Sequence, residues 1–140
     1  MTAFADSSAL VKLYADEEHA DEVRAKDLYL VASVARVEVP AALWRKVRMG
    51  ELREADAALL TRAFEADWRD AAGPFVIVAL TPSVLEVAAR MVAAHGLRAY
   101  DGIQLASATL ARTTDPGIEV FACYDRELLA AAAAEGFEAA

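Results

Sequence analysis

Cysteine is nearly absent from this 140-residue chain. Cys123 stands alone, which excludes an internal disulfide framework and any cysteine-rich zinc site. Histidine is almost as scarce: His19 and His95 lie far apart, without the paired spacing of metal ligands, and read as structural or exposed side chains. Basic residues are the minority charge. Fourteen Lys and Arg against 22 Asp and Glu leave a formal net charge of −8, which argues against loose binding to bulk DNA through a cationic surface. No apolar run approaches the ~20 residues of a membrane helix; the longest candidate, Leu128 to Ala134, is nearly all alanine. The opening MTAFADSSAL lacks the basic start and long apolar stretch of a signal peptide. These absences lead to the expectation of a soluble cytoplasmic protein with no membrane partner.

What is present is apolar bulk. The hydrophobic fraction is 57%, and 34 of those residues are alanine; the larger apolar side chains still suffice for one core. With no internal repeat and no Ser/Gly linker, residues 1–140 read as a single domain. Short β-rich runs alternate with longer helical ones. Thr2 to Ala5 and Leu28 to Ala32 are short apolar runs. Phe75 to Leu80 (FVIVAL) and Ile118 to Ala122 (IEVFA) lack polar alternation, as suits strands buried on both faces of a parallel sheet. Between them lie helical stripes: Ala9, Leu10, Leu13 and Tyr14; Leu43 and Val47; Leu59, Ala63 and Phe64. Further stripes are Val84, Leu85, Ala88, Met91 and Val92, then Ile103, Leu105, Ala106 and Leu110. Gly50, Gly73-Pro74, Thr81-Pro82, Gly96 and Asp115-Pro116-Gly117 punctuate the joins. The alternation predicts an α/β fold, a parallel sheet of four or five strands with helices on both faces.

In such a sheet chemistry gathers beyond the carboxyl ends of the strands, where loops enter helices. Asp6 follows the first strand and opens a helix with Ser7 and Ser8. Asp125 holds the same place after the strand IEVFA. Asp101 starts the helix DGIQLASATL, and Glu38 lies just after the second strand in SVARVEVPAAL. Capping accounts for an aspartate at a helix start. It does not account for Glu38, which sits among Val34, Val37 and Val39. A carboxylate in apolar surroundings is costly unless paired or bound to a cation. Several such charges at neighbouring strand ends call for a proton or a metal ion, and all-oxygen ligands favour Mg²⁺ or Mn²⁺.

Four segments together, FADSSALVKLY, SVARVEVPAALWR, LRAYDGIQLASA and FACYDRELLAAAAAEGF, resemble the PIN-domain family, and more narrowly the toxin component (VapC) of VapBC-type toxin–antitoxin pairs. They stand in the family's order and cover nearly the whole chain. The resemblance implies a Rossmann-like sheet and a Mg²⁺- or Mn²⁺-dependent endoribonuclease that inhibits translation. It makes Asp6, Glu38, Asp101 and Asp125 the catalytic and metal-holding carboxylates, with Ser7 in support. It also implies a cognate VapB-like antitoxin whose C-terminal segment crosses the active site, an RNA substrate, and a homodimer. The chain departs from the pattern at Cys123, where many relatives carry Thr, and the closing GFEAA leaves room for only a short last strand.

Three rival readings stay open. A receiver-type phosphoacceptor domain wants adjacent acids after the first strand and a lysine after the last, whereas here serines follow Asp6 and no lysine lies beyond Lys46. A non-catalytic PIN-like scaffold could bind partners through the same surface. A DNA-directed nuclease would share the chemistry and differ in substrate. Arg45, Lys46, Arg48 and Arg53 are candidate phosphate contacts near the acidic mouth, or ordinary helix-surface charges. Trp44, Trp68 and Tyr14 suit either a core or an interface.

Overall fold

The computed structural model describes residues 2–140. The chain runs β1 (Thr2–Ala5), α1 (Ser7–Leu10), a 3₁₀ turn (Val11–Leu13), α2 (Ala20–Arg24), β2 (Tyr29–Ala32), α3 (Ala35–Arg48) and α4 (Glu54–Arg69). It continues through β3 (Phe75–Val78), α5 (Pro82–His95), α6 (Ala99–Thr114), β4 (Ile118–Ala122), α7 (Arg126–Ala134) and β5 (Glu138–Ala139). The five strands form one sheet in the order β3-β2-β1-β4-β5, with every pairing parallel. All strands therefore point their carboxyl ends to one edge. The chain builds outward from β1 first through β2 and β3, then returns to the other side through β4 and β5. The crevice between the loops leaving β1, β2 and β4 is the place where such a sheet receives ligands.

Period-two alternation on β1 divides the core. Ala3 and Ala5 face one side, where Val31, Val120 and Ala122 of the sheet meet Leu10, Val39, Leu43 and Phe64 of the helices. Phe4 faces the other, with Phe121 and Ile118 packed against Met91, Leu105, Leu128 and Phe137. Phe4 and Phe121 stack with ring centroids 5.4 Å apart. Short side chains at Ala3, Ala5 and Ala122 let the helices of the first layer sit close to the sheet, where the start of α1 meets the end of β4.

Helix boundaries follow local chemistry. Asp6 caps α1 and Asp125 caps α7, each carboxylate accepting a backbone N–H three residues on. Thr81 caps α5 with Pro82 in its first turn, and Gly96 ends it in the left-handed region at φ 65°.

Four expectations need correction. The FVIVAL run is not buried on both faces: β3 is the sheet's edge strand, and Val76, Ile77 and Leu80 are exposed. An unbroken apolar run looks the same at the edge of a sheet as at its centre. On α4 the inward face is Ala57, Leu60, Phe64 and Trp68, and Leu59 points to solvent; leucine and alanine on an Ala-rich helix do not say which stripe faces the core. Asp101 is not a cap, because α6 begins two residues earlier at Ala99. Leu85, grouped with the apolar stripe of α5, is 49% exposed, while Glu38 lies inside α3, where Pro40 removes one backbone donor without ending the helix.

Helices α5 and α6 approach closely at Gly102. A Cβ built there would stand 2.6 Å from Val92 Cγ2 and 3.1 Å from the Ala88 carbonyl oxygen. Gly102 thus sets how deeply α6 seats, and with it where Asp101 stands. Gly102→Val is expected to lower stability by roughly 2 kcal/mol through overpacking, read as a fall in the denaturant midpoint at unchanged m-value.

Candidate active site

A cavity of about 750 Å³ opens at the carboxyl edge of the sheet, lined by Asp6, Ser7, Glu38, Asp101 and Asp125 together. The fold thus brings all five candidate residues to one place, from four separate segments of the chain. Arg45 and Arg48 of α3 and Arg98 at the start of α6 also line it, as do the apolar Val34, Leu80 and Tyr100.

Asp6 is the innermost carboxylate, only 4% exposed. Its Oδ1 accepts from the Ala9 amide at 3.0 Å and the Ser8 hydroxyl at 2.7 Å, and its Oδ2 accepts from the Cys123 thiol at 3.3 Å. Those bonds favour the ionised form, yet burial outweighs them. Desolvation, with a small contribution from the charge of Glu38, pushes the Asp6 carboxyl up to about 6 from an ordinary value of 3.8. Ser8 also accepts from the Tyr124 amide at 2.9 Å, tying the loop after β1 to the loop after β4.

Glu38 is held by two donors. The Ser7 hydroxyl reaches its Oε1 at 3.0 Å, and Gln104 Nε2 reaches the same oxygen at 2.8 Å while donating to Ser7 Oγ at 3.0 Å. Glu38 does not sit in a wholly apolar pocket: Val39 is buried, but Val37 is 71% exposed beside the cavity. Its Oε2 is free of both donors, so one oxygen is fixed and the other is offered.

Asp101 and Asp125 form a second pair. Asp125 Oδ1 caps α7 through the Leu128 amide at 3.0 Å. Burial, then the neighbouring Asp125 charge, raises the Asp101 carboxyl above the usual range. Arg98 bridges the pair, its guanidinium 3.6 Å from each carboxylate, and stays 80% exposed.

Gln104, Arg98 and Ser8 had no place among the sequence-derived site residues. Gln104 carried a signal: it lies three residues after Asp101, so helical spacing puts the two on one face, whereas Arg98 precedes the helix in extended backbone. Gln104 is 1% exposed, and its Oε1 is buried without a hydrogen-bond partner. A glutamine amide flipped the other way would set two oxygens against each other at Glu38, so the observed orientation is the one chemistry allows. Cys123 is a small buried side chain, as expected, and also a donor to Asp6; burial and the Asp6 charge push its thiol well above the usual range, so it serves as S–H and not as a thiolate.

The donor set is all oxygen and suits Mg²⁺ or Mn²⁺. Burial, joined by the charge of Asp125 at Asp101 and to a small degree that of Glu38 at Asp6, raises both carboxyls, a condition that a cation relieves. Among the described residues, no three Asp, Glu, His or Cys side chains are already drawn into one metal-binding group. The four carboxylates stand as two coupled pairs across the cavity.

The PIN domain family profile matches residues 3–135. Ribonuclease VapC45 and Ribonuclease VapC49, both of Mycobacterium tuberculosis, are each 36% identical over 135 residues, spanning 94% of this chain and 89% of theirs. The crystal structure of PAE2754 from Pyrobaculum aerophilum superposes with a TM-score of 0.66 at 25% identity, over 99% of this chain and 89% of that one. A toxin–antitoxin complex from Klebsiella pneumoniae gives a TM-score of 0.56 at 18% identity, over 89% and 87%, a likeness of fold alone. The chain belongs to the PIN-domain family and, within it, stands with the VapC proteins.

Asp6 makes a stability prediction. A carboxyl raised on folding supports the native state while protonated and opposes it once ionised. Its contribution is therefore fully present below about pH 4 and is lost as pH rises through about 6. Asparagine caps a helix as well as aspartate does. Asp6→Asn is expected to stabilise the metal-free protein at pH 7 by roughly 3 kcal/mol, with no gain near pH 3. Urea unfolding at the two pH values checks this; equal midpoints for the two proteins at pH 7 would remove the burial argument.

Proposed function

We propose that this protein is a divalent-metal-dependent endoribonuclease, the toxin of a toxin–antitoxin pair that inhibits translation. The observation that carries the reading is the convergence of Asp6, Glu38, Asp101 and Asp125 on one cavity, with Asp6 held far above its ordinary pKa by burial. Two relatives with ribonuclease in their names, at 36% identity over most of the chain, support the activity. The toxin–antitoxin complex that shares the fold supports a cognate VapB-like antitoxin as partner. The exposed apolar side chains Val76 and Ile77 on the edge strand favour a homodimer.

The carboxylates of Asp6, Glu38, Asp101 and Asp125 would hold Mg²⁺ or Mn²⁺, which supplies Lewis-acid activation of water and charge neutralisation at the phosphodiester. The chain's own residues do the positioning. Ser8, the Ala9 amide and Cys123 fix Asp6 at the cavity floor. Ser7 and Gln104 fix one oxygen of Glu38 and leave the other outside those two bonds. Arg98 offsets the repulsion between Asp101 and Asp125. The hydroxyls of Ser7 and Ser8 are occupied in holding Glu38 and Asp6, so in this reading water is the nucleophile and the serines position the carboxylates.

The division of the carboxylates into two pairs favours one alternative, a non-catalytic scaffold that uses the same surface for a partner. Cleavage of labelled structured RNAs by the purified protein with Mg²⁺, Mn²⁺ or EDTA, beside Asp6→Asn, separates the two. The nuclease reading expects metal-dependent cleavage that EDTA and Asp6→Asn both abolish. Neither cleavage nor calorimetric metal binding would leave the scaffold. Gln104→Ala is expected to lower kcat by about 10- to 100-fold with KM little changed, since it loosens Glu38 without touching the substrate; a wild-type kcat would remove Gln104 from the site.

A further inference from the structure

The arginine cluster on α3 divides in the folded structure. Lys46 is held by Glu17 and Glu51, Arg53 by Asp56, and Arg36 by Glu65. Arg45 and Arg48 are exposed, line the carboxylate cavity, and are drawn into no ion pair among the described residues. Both follow Glu38 on one face of α3, through Ala41 and Ala42, at helical spacings of three, four, seven and ten residues. At 1.5 Å per residue they stand about 10 and 15 Å along the helix axis from Glu38. The alanines between leave the floor of this path low.

We propose that Arg45 and Arg48 form a phosphate track that receives the RNA backbone on one side of the bond being cut. The inference rests on the ribonuclease reading of the cavity and adds to it the direction in which the strand leaves. A strand that sets one phosphodiester against the carboxylates must carry its neighbouring phosphates away from four like charges. Arg98 already stands 3.6 Å from both Asp101 and Asp125, and Leu80 and Tyr100 offer apolar surface. The α3 wall alone presents cations without a partner. The flanking phosphates therefore run from Glu38 toward Arg48, and in a chain of net charge −8 this path supplies the local attraction that the surface as a whole does not.

The test measures binding of a labelled single-stranded RNA against salt, in the Asp6→Asn background with Mg²⁺ so that the strand stays intact. Each lost contact lowers the magnitude of the log K against log salt slope by about 0.7 for a single strand, so Arg45→Ala with Arg48→Ala is expected to lower it by about 1.4. The double lysine variant keeps the slope. Arg53→Ala, which removes a paired cation, leaves it unchanged. In the active protein the double alanine variant loses kcat/KM on RNA but not on bis(p-nitrophenyl) phosphate, a phosphodiester too small to span the cavity. An unchanged slope in the double alanine variant overturns the track while leaving the nuclease reading intact. Lost affinity for a polyglutamate peptide with an unchanged RNA slope assigns the arginines to an acidic protein segment instead, and likewise overturns it. Absence of RNA binding by the Asp6→Asn protein with all its arginines in place defeats the ribonuclease reading itself, and the track with it.

Discussion

The site depends on one buried carboxylate. Asp6 ends the central strand of the sheet, where its neighbours Phe4 and Ala5 are fully buried, and the fold leaves it almost no contact with water. Three hydrogen bonds compensate only in part, and the carboxyl stays near 6. An uncompensated charge at this depth is a standing cost to the folded chain. It is sustained by the geometry around it: β1 lies between β2 and β4, so the same strand end that buries Asp6 also brings Asp125 and Glu38 within reach. Strand order, helix capping and the electrostatics of the cavity are therefore one constraint seen at three scales.

The four carboxylates do not act as one cluster. Asp6 feels Glu38, and Asp101 feels Asp125, each coupling within its own half of the cavity. The halves are held differently. Asp6 and Glu38 are fixed by neutral donors from Ser8, Ser7, Gln104 and Cys123, a rigid arrangement with short side chains. Asp101 and Asp125 are bridged by a long-stemmed arginine at 3.6 Å, a contact screened on the arginine's side, where the side chain is 80% exposed, while the two carboxylates are mostly buried. One half is preorganised and the other adaptable.

Much of this was legible in the sequence. The alternation of short apolar runs with helical stripes defines the parallel α/β sheet, and acids at strand ends mark its active edge. All four carboxylates and Ser7 reach the cavity. What periodicity could not resolve was depth and direction. FVIVAL reads as a central strand and lies at the edge, because apolar content reports that a strand is buried somewhere and not on how many sides. Leu59 reads as core and faces solvent, because an Ala-rich helix carries more than one apolar stripe. Gln104 was missed because a polar residue in an apolar helix has no fixed meaning until its partner is known. Glu38, 66 residues away in the chain, supplies that meaning only after folding.

The arginines show the same limit from the opposite side. Arg45, Lys46, Arg48 and Arg53 are equivalent as a sequence cluster, four cations along one helix and the turn after it. Folding makes them unequal by deciding which carboxylates stand nearby. Lys46 points to Glu17 of the loop after the 3₁₀ turn, and Arg53 to Asp56 one turn away. Arg45 and Arg48 share the face of Glu38 and meet only the open cavity. An acidic protein has few cations to leave unpaired, and here two of them border the carboxylate cavity. Net charge describes the whole surface, but association is governed by the field at the mouth of the site. A domain of overall charge −8 can therefore still present a locally cationic path beside its carboxylates.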